Sequence, residues 1–366
     1  MKKSLLYIMH VDWDWIKQRP HFIAEGLADY FDITLLYPKL LIKKGPVYNY
    51  RIKNIKYKKL YIIPNIFCNI LNLKKLNSSI INIQIKSIFK TKDFDIIWFT
   101  SPLFFGSTFN LIKNGIIVYD CMDNWQGFAK NKTEYYEMGQ QEKLLIDRSD
   151  IIFVSSKSLY ASILKKTKNK KIILLKNAIS SSFLYYNYLN NNKMILKEEY
   201  HKNRIFKLAY IGTIDKWMDF ESLVRLLNEI ENLVIYLIGP VCCETPVHRR
   251  LVIYGPIDHG NIPNIAAQFD GFIIPFIIND LTRAVDPIKI YEYISFRKPI
   301  IAVNYDEIVE YNKFIWTYSS YDELKDIIIN LIKNHISIKY SMNEAFEYLK
   351  EHTWEKRISY IIDNLV

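Results

Sequence analysis

The stretch Pro275–Val303, PFIINDLTRAVDPIKIYEYISFRKPIIAV, decides how the chain is read. It gives the end of a buried strand, a polar loop, a short helix and a second apolar strand. Asp286 can cap the helix, and Pro287 suits its first turn, where the missing N–H is not needed. The helix is expected from Ile288 to about Phe296. Arg297 and Lys298 suit its negative pole, and Pro299 stops it before the strand IIAV. A helix that opens behind the carboxyl end of a buried strand aims free N–H groups into a crevice, the usual seat of ligand phosphates in open α/β sheets. Lys289 and Glu292, three residues apart, share one helix face. The cation suits a phosphate and the carboxylate suits vicinal hydroxyls such as those of a ribose. Two ordinary surface residues of an amphipathic helix would carry the same spacing.

The alternation on both sides of this stretch supports an α/β fold. Apolar runs at Leu5–Met9, Asp32–Tyr37, Asp95–Thr100, Ile116–Tyr119, Ile151–Ser156 and Lys171–Lys176 read as strands separated by helical spacing. A second series follows at Leu208–Ile211, Leu233–Ile238, Leu251–Gly255 and Gly271–Pro275. Alternating β and α elements imply parallel sheets, here two of them. The Asn-rich segment between the series reads as a linker. The expected bounds are an N-terminal domain at 1–184, a linker at 185–204, a C-terminal domain at 205–340 and a terminal helix at 341–366.

The run DPIKIYEYISFRKPIIA resembles the nucleotide-sugar segment of GT-B glycosyltransferases similar to glycosyltransferase family 4. The resemblance implies two Rossmann-like domains with parallel sheets facing a cleft, the acceptor on the N-terminal domain and the donor on the C-terminal one. It implies that Glu292 holds the donor ribose. In that family an earlier glutamate often stands eight positions before; here the residue is Ala284, so either Asp280, Arg283 or Asp286 takes that part or the donor sugar is held differently. Gly212, Thr213 and Lys216 fall near the donor phosphates, Gly255 and Ile257 near the nucleobase. Lys289, the helix start at Asp286, Pro287 and Ile288, and Arg283 or Lys216 would stabilise the leaving diphosphate. Retention of anomeric configuration is also what the resemblance implies.

In the first half, His10, Asp12, Trp13, Trp15, Arg19 and His21 crowd the first β–α connection. Two tryptophans among charges suit a sugar-stacking, acceptor-binding surface; equally, they suit a buried plug with solvated ions around it. The pattern Trp15-x-x-x-Arg19-Pro20-x-x-x-Ala24 resembles bacterial surface-polysaccharide and teichuronic-acid-type transferases, as does the run YDCMDNW from Tyr119 to Trp125. Asp120 and Asp123, just past a strand's carboxyl end, join His10 and Arg283 as catalytic candidates. Asp120 can instead cap the following turn. No metal and no cofactor are expected, since no D-x-D pair stands at the nucleotide segment; Asp12 and Asp14 lie in the other half.

The net charge of +11 is unevenly spread. Residues 33–92 carry 13 Lys or Arg and no Asp or Glu. Such a half suggests a polyanion or an anionic membrane surface as partner. Interleaved apolar residues fit a bilayer better than nucleic acid, for which no motif is present, and compositional bias toward lysine is the bland alternative. Four cysteines without a C-x-x-C suggest neither a disulfide framework nor a zinc site, as in a reducing cytoplasm. No run approaches the roughly 18–20 apolar residues of a membrane span. The expected activity is transfer of a sugar from a nucleotide donor to a glycan or lipid-linked glycan of the cell surface. A nucleotide-sugar epimerase and an inactive binding paralogue are the rivals.

Overall fold

A computed structural model describes residues 2–40, 51–63, 74–191 and 204–365. The chain divides into two compact units, Met1–Lys176 and Asn177–Val366. Each is built on one sheet whose strands all run parallel.

In the first unit the described strands are β1 (Ser4–Ile8), β2 (Asp32–Leu40), β3 (Ile55–Ile62), β4 (Ile96–Phe99), β5 (Ile116–Cys121), β6 (Ile151–Val154) and β7 (Lys171–Leu174), in the order β3-β2-β1-β4-β5-β6-β7. The central strands are apolar on both faces because helices cover both, so they read as unbroken runs. β1, β4 and β6 are buried at every residue. Trp98 of β4 stacks between Tyr7 (5.7 Å) and Phe153 (5.4 Å) and is fully buried. The order reverses between β1 and β4, which opens a crevice beyond their carboxyl ends.

The second unit repeats the arrangement with β8 (Phe206–Ile211), β9 (Leu233–Ile238), β10 (Leu251–Tyr254), β11 (Gly271–Ile274), β12 (Ile300–Val303) and β13 (Trp316–Tyr318), in the order β10-β9-β8-β11-β12-β13. Its reversal lies between β8 and β11, where Leu208 pairs with Gly271. Both loops that leave this point, after Ile211 and after Ile274, carry residues singled out from the sequence.

Two strands were not expected. β3 (IKYKKLYI) lies inside the basic region, and β13 follows the decisive stretch. Both are edges, paired on one side only, so neither needs an unbroken apolar run. Lysines on an edge also discourage pairing with a second chain. The helix Lys74–Phe89 covers the β3 edge: the Gln84 amide accepts from the Tyr61 N–H (3.0 Å) and donates to its carbonyl (2.9 Å).

The described residues also alter the expected domain bounds. The division falls at Lys176, and Ser181–Asn191 is a helix of the second unit rather than linker. Phe183 and Leu184 explain it, since both are buried in the second unit's core. Residues 341–366, expected as one terminal helix, form two, Met342–Lys350 and Trp354–Leu365. Between them Thr353 bridges to Ile179 at the start of the same unit.

Candidate functional site

In the second unit the helix Ile288–Ser295 starts behind the loop that leaves β11. Glu292, on its second turn, is 2% exposed. Its Oε2 accepts from the Lys289 Nζ at 2.8 Å and its Oε1 from the His259 Nε2 at 3.0 Å. Burial works against ionisation here, but the Lys289 charge and the His259 hydrogen bond overcome it and hold the carboxyl at about 2. Glu292 is therefore an anion at neutral pH, an acceptor with lone pairs beyond the two in use. The side chains of Lys289 and His259 keep 19% and 18% of their surface in solvent. The carboxylate is thus buried while both of its partners reach solvent.

The loops around it come from three strand ends. Gly212 leaves β8 beneath the Tyr210 hydroxyl, which donates to the Thr213 carbonyl (3.1 Å) and lies 2.6 Å from where a Cβ on Gly212 would stand. Gly239, after β9, has φ +148°, and a Cβ there would stand 2.0 Å from the Gly212 carbonyl oxygen. The pair of glycines lets the two loops touch backbone to backbone. The loop after Gly212 then bridges at Ile214 to Val241 and at Met218 to Phe276, leaving Lys216 exposed between. Gly255, after β10, faces open space, and Asp258 caps the turn His259–Asn261 by accepting from the Gly260 N–H (2.7 Å).

Several donor-side expectations change. Pro287, not Asp286, is the N-cap of the helix. Asp286 is 2% exposed and accepts from the Asn177 N–H (2.7 Å) and the Tyr311 hydroxyl (2.7 Å), so it anchors the helix start from within the core. Lys298 does serve a helix carboxyl end, but that of Ile262–Ala266, through the carbonyls of Ala266 (2.9 Å) and Ala267 (2.8 Å). Of the three substitutes for the missing glutamate, Asp280 and Arg283 are exposed, while Ala284 itself is buried in a short turn.

In the first unit the crevice beyond β1 and β4 is spanned by His10. Its Nδ1 lies 2.8 Å from the Thr100 hydroxyl, and Trp125 meets its ring edge-on at 4.8 Å. Burial pushes the imidazole down to about 3, with His21 adding to the effect, so it is neutral. Asp123 is half-buried; burial pushes its carboxyl up to about 6, with Asp120 adding and Arg19 opposing.

The other candidates of this unit turn inward. Asp120 is wholly buried and takes Arg19 in a fork, with Nη2 at 2.7 Å and Nε at 3.1 Å, while Nη1 donates to the Leu175 carbonyl (2.8 Å). His21 is 3% exposed; its Nδ1 accepts from the Gln18 N–H, so its Nε2 donates to the Trp13 carbonyl (3.2 Å). Trp13 is 2% exposed against His21 and Tyr57. Arg19, His21, Trp13 and Asp120 thus hold the first loop onto the sheet and present no face to an acceptor, contrary to the expected stacking surface. Asp12 and Asp14 are held by Lys39 at 3.0 and 2.9 Å, and Asp14 also by Arg51 (2.7 Å). Trp15 stays partly exposed.

No protein-family model matches the chain. It is 23% identical over 248 residues to a Bacillus subtilis (strain 168) protein named as a teichuronic acid biosynthesis glycosyltransferase, covering 63% of this chain and 61% of that one. It is 24% identical over 371 residues to an uncharacterized glycosyltransferase of Methanocaldococcus jannaschii, covering 90% and 88%. The chain therefore spans about 61% of the length of the first relative. Sucrose-phosphate synthase from Thermosynechococcus elongatus superposes with a TM-score of 0.73 at 13% identity, over 99% of this chain and 98% of that one. Anabaena HepE in complex with UDP-glucose gives 0.71 at 12% identity, over 99% of both chains. The chain has the GT-B fold.

In GT-B terms the second unit is the C-terminal Rossmann-like domain. The structure brings together Glu292 and Lys289 and adds His259, which the sequence reading missed. The signal was present in Asp258-His259-Gly260, an Asp-capped turn just after the segment assigned to the nucleobase. Thr100, the partner of His10, and Tyr311, the anchor of Asp286, were also missed. Each lies far along the chain from its partner, 90 and 25 residues away.

Proposed function

We propose that the chain transfers a sugar from a nucleotide-sugar donor to a hydroxyl of a glycan or lipid-linked glycan in cell-surface polysaccharide biosynthesis, with retention of configuration. The observation that carries this is the Glu292, Lys289 and His259 group, which joins the helix after β11 to the turn after β10 in the second unit. Glu292 is a fixed anion suited to the 2′ and 3′ hydroxyls of a ribose. The departing diphosphate needs cations and N–H dipoles aimed where its charge develops. Lys289, the first N–H groups of the helix behind Pro287, and exposed Lys216 and Arg283 are the groups assigned to it. Thr213, Gly212, Gly255 and Ile257 are assigned to backbone contact with the donor. The names of the two relatives and the UDP-glucose bound by Anabaena HepE support the same reading.

On the acceptor side, His10 and Asp123 are the groups assigned to the hydroxyl, and Trp15 and Asp12 of the same first loop, both partly exposed, are assigned to the acceptor. Asp12 and Asp14 are already neutralised by Lys39 and Arg51, which favours a reaction without a divalent metal.

The first unit is further proposed to work against an anionic membrane surface, where a lipid-linked acceptor would lie. No helix among the described residues is long and apolar enough to cross a membrane. Exposed Lys56, Lys58, Lys59 and Tyr61 of β3, with exposed Leu76 and Ile83 on the covering helix, support a surface contact. Residues 41–50 and 64–73 of the basic region, Lys43 and Lys44 among them, lie outside the described residues.

The test of the activity is release of nucleoside diphosphate from UDP- and GDP-sugars with and without glycan acceptors. Release that depends on an acceptor is expected. Formation of an epimeric nucleotide sugar without any acceptor would replace the transferase by an epimerase.

A further inference from the structure

His259 belongs to the group around Glu292 but has been given no role toward the donor, and it joins three separate segments of the second unit. It belongs to the turn capped by Asp258, which follows the open loop at Gly255. One ring face rests on Phe183 of the helix Ser181–Asn191, with centroids 5.2 Å apart and planes at 37°. Its Nε2 reaches Glu292 Oε1 at 3.0 Å. Phe183 in turn packs on Phe296 just past the end of the Glu292 helix, at 5.6 Å. A histidine supported by a ring on one side and bonded on the other has little rotational freedom. Because Glu292 is ionised, it can only accept, so the hydrogen of this bond sits on His259 Nε2.

The arrangement fixes the carboxylate at two points. Lys289 holds Oε2 from within the same helix, and His259 holds Oε1 from the turn after β10. Lys289 alone, three residues away on a flexible four-carbon stem, would leave the carboxylate plane free to rotate about its terminal torsion. His259 removes that freedom and ties it to the position of the turn. We propose that His259 is a positioning residue of the donor site: it orients Glu292 toward the ribose diol and couples that orientation to the loop Gly255–Ile257, where the base is expected. This rests on the reading of Glu292 as the ribose ligand.

The test reads discrimination between ribose and 2′-deoxyribose, which a residue of merely structural value would not move. Binding of UDP and dUDP, GDP and dGDP, and ADP and dADP to the full chain is measured by calorimetry. For the pair that binds, the ribonucleotide is expected to bind at least about 10-fold tighter, the worth of a hydrogen bond to a charged group. E292Q should lose most of that preference. H259F, which keeps a ring against Phe183 but has no N–H, should lose it at least several-fold, and H259Q, which restores a donor, should regain it. H259A is run beside H259F, and the preference is read in whichever variant folds. If the preference survives there while E292Q loses it, the role of His259 is overturned and that of Glu292 stands. If E292Q also keeps the preference, or no pair binds, the ribose reading of Glu292 falls with it.

Discussion

Two charged groups sit toward the carboxyl ends of strands in the two sheets, Asp120 still within β5 (Ile116–Cys121), and they differ in one respect that decides their meaning. Arg19 and Asp120 in the first unit form a forked pair that is 4% and 0% exposed. Lys289 and Glu292 in the second form a pair in which the carboxylate is buried but the amine keeps 19% of its surface. In the sequence both looked like site residues, since each stands just past an apolar strand or at the head of the following helix. Burial separates them. A sealed, fully satisfied pair has spent its hydrogen-bonding capacity on the fold. A buried carboxylate whose two partners both reach solvent keeps acceptor capacity for a ligand. Position at a strand end therefore selects candidates, and the exposure of the partner sorts them.

The contrast can be broken first at Asp120. Removing one member of a buried pair leaves an uncompensated charge and costs about 3–5 kcal/mol. Asp120→Ala should lower stability by that amount in urea unfolding, whereas Lys289→Ala, which removes a part-exposed amine and leaves Glu292 held by His259, should cost less. Equal losses at the two sites would erase the distinction. The next effect concerns the surface. Each lysine near an anionic bilayer contributes about 1 kcal/mol, so replacing Lys56, Lys58 and Lys59 by Gln should weaken binding to anionic vesicles by on the order of 100-fold. Co-sedimentation should show little binding to neutral vesicles, and added salt should mimic the substitutions. If the triple variant and the parent sediment alike, the basic unit does not dock through β3.

Much of the fold was legible because the central strands are buried on both faces. IIWF, IIFV, GFII and IIAV admit no amphipathic helix and little else but a parallel strand. The edge strands β3 and β13 escaped because an edge pairs on one side and tolerates charge. IKYKKLYI read as a basic surface, which its lysines are, and only its pairing with β2 makes it a strand. The site was legible where its residues share one helix, as Lys289 and Glu292 do. It was not legible where it depends on burial or on distant partners. Trp13 and His21 carry the composition of a sugar platform, yet their side chains fill the space under the first loop. Asp286 had the spacing of a helix cap, but the Asn177 N–H and the Tyr311 hydroxyl draw its carboxylate into the core.

Glu292 is the residue assigned to hold the donor, and every other donor-side role is placed around it. Its direct test is the affinity of Glu292→Ala for the nucleotide-sugar donor, measured by calorimetry on a variant whose melting confirms that it folds. A charge-assisted hydrogen bond lost from such a site is worth roughly 1.5–3 kcal/mol, so the donor should bind about 10- to 100-fold more weakly. A folded Glu292→Ala that binds the donor as tightly as the parent would contradict the assignment.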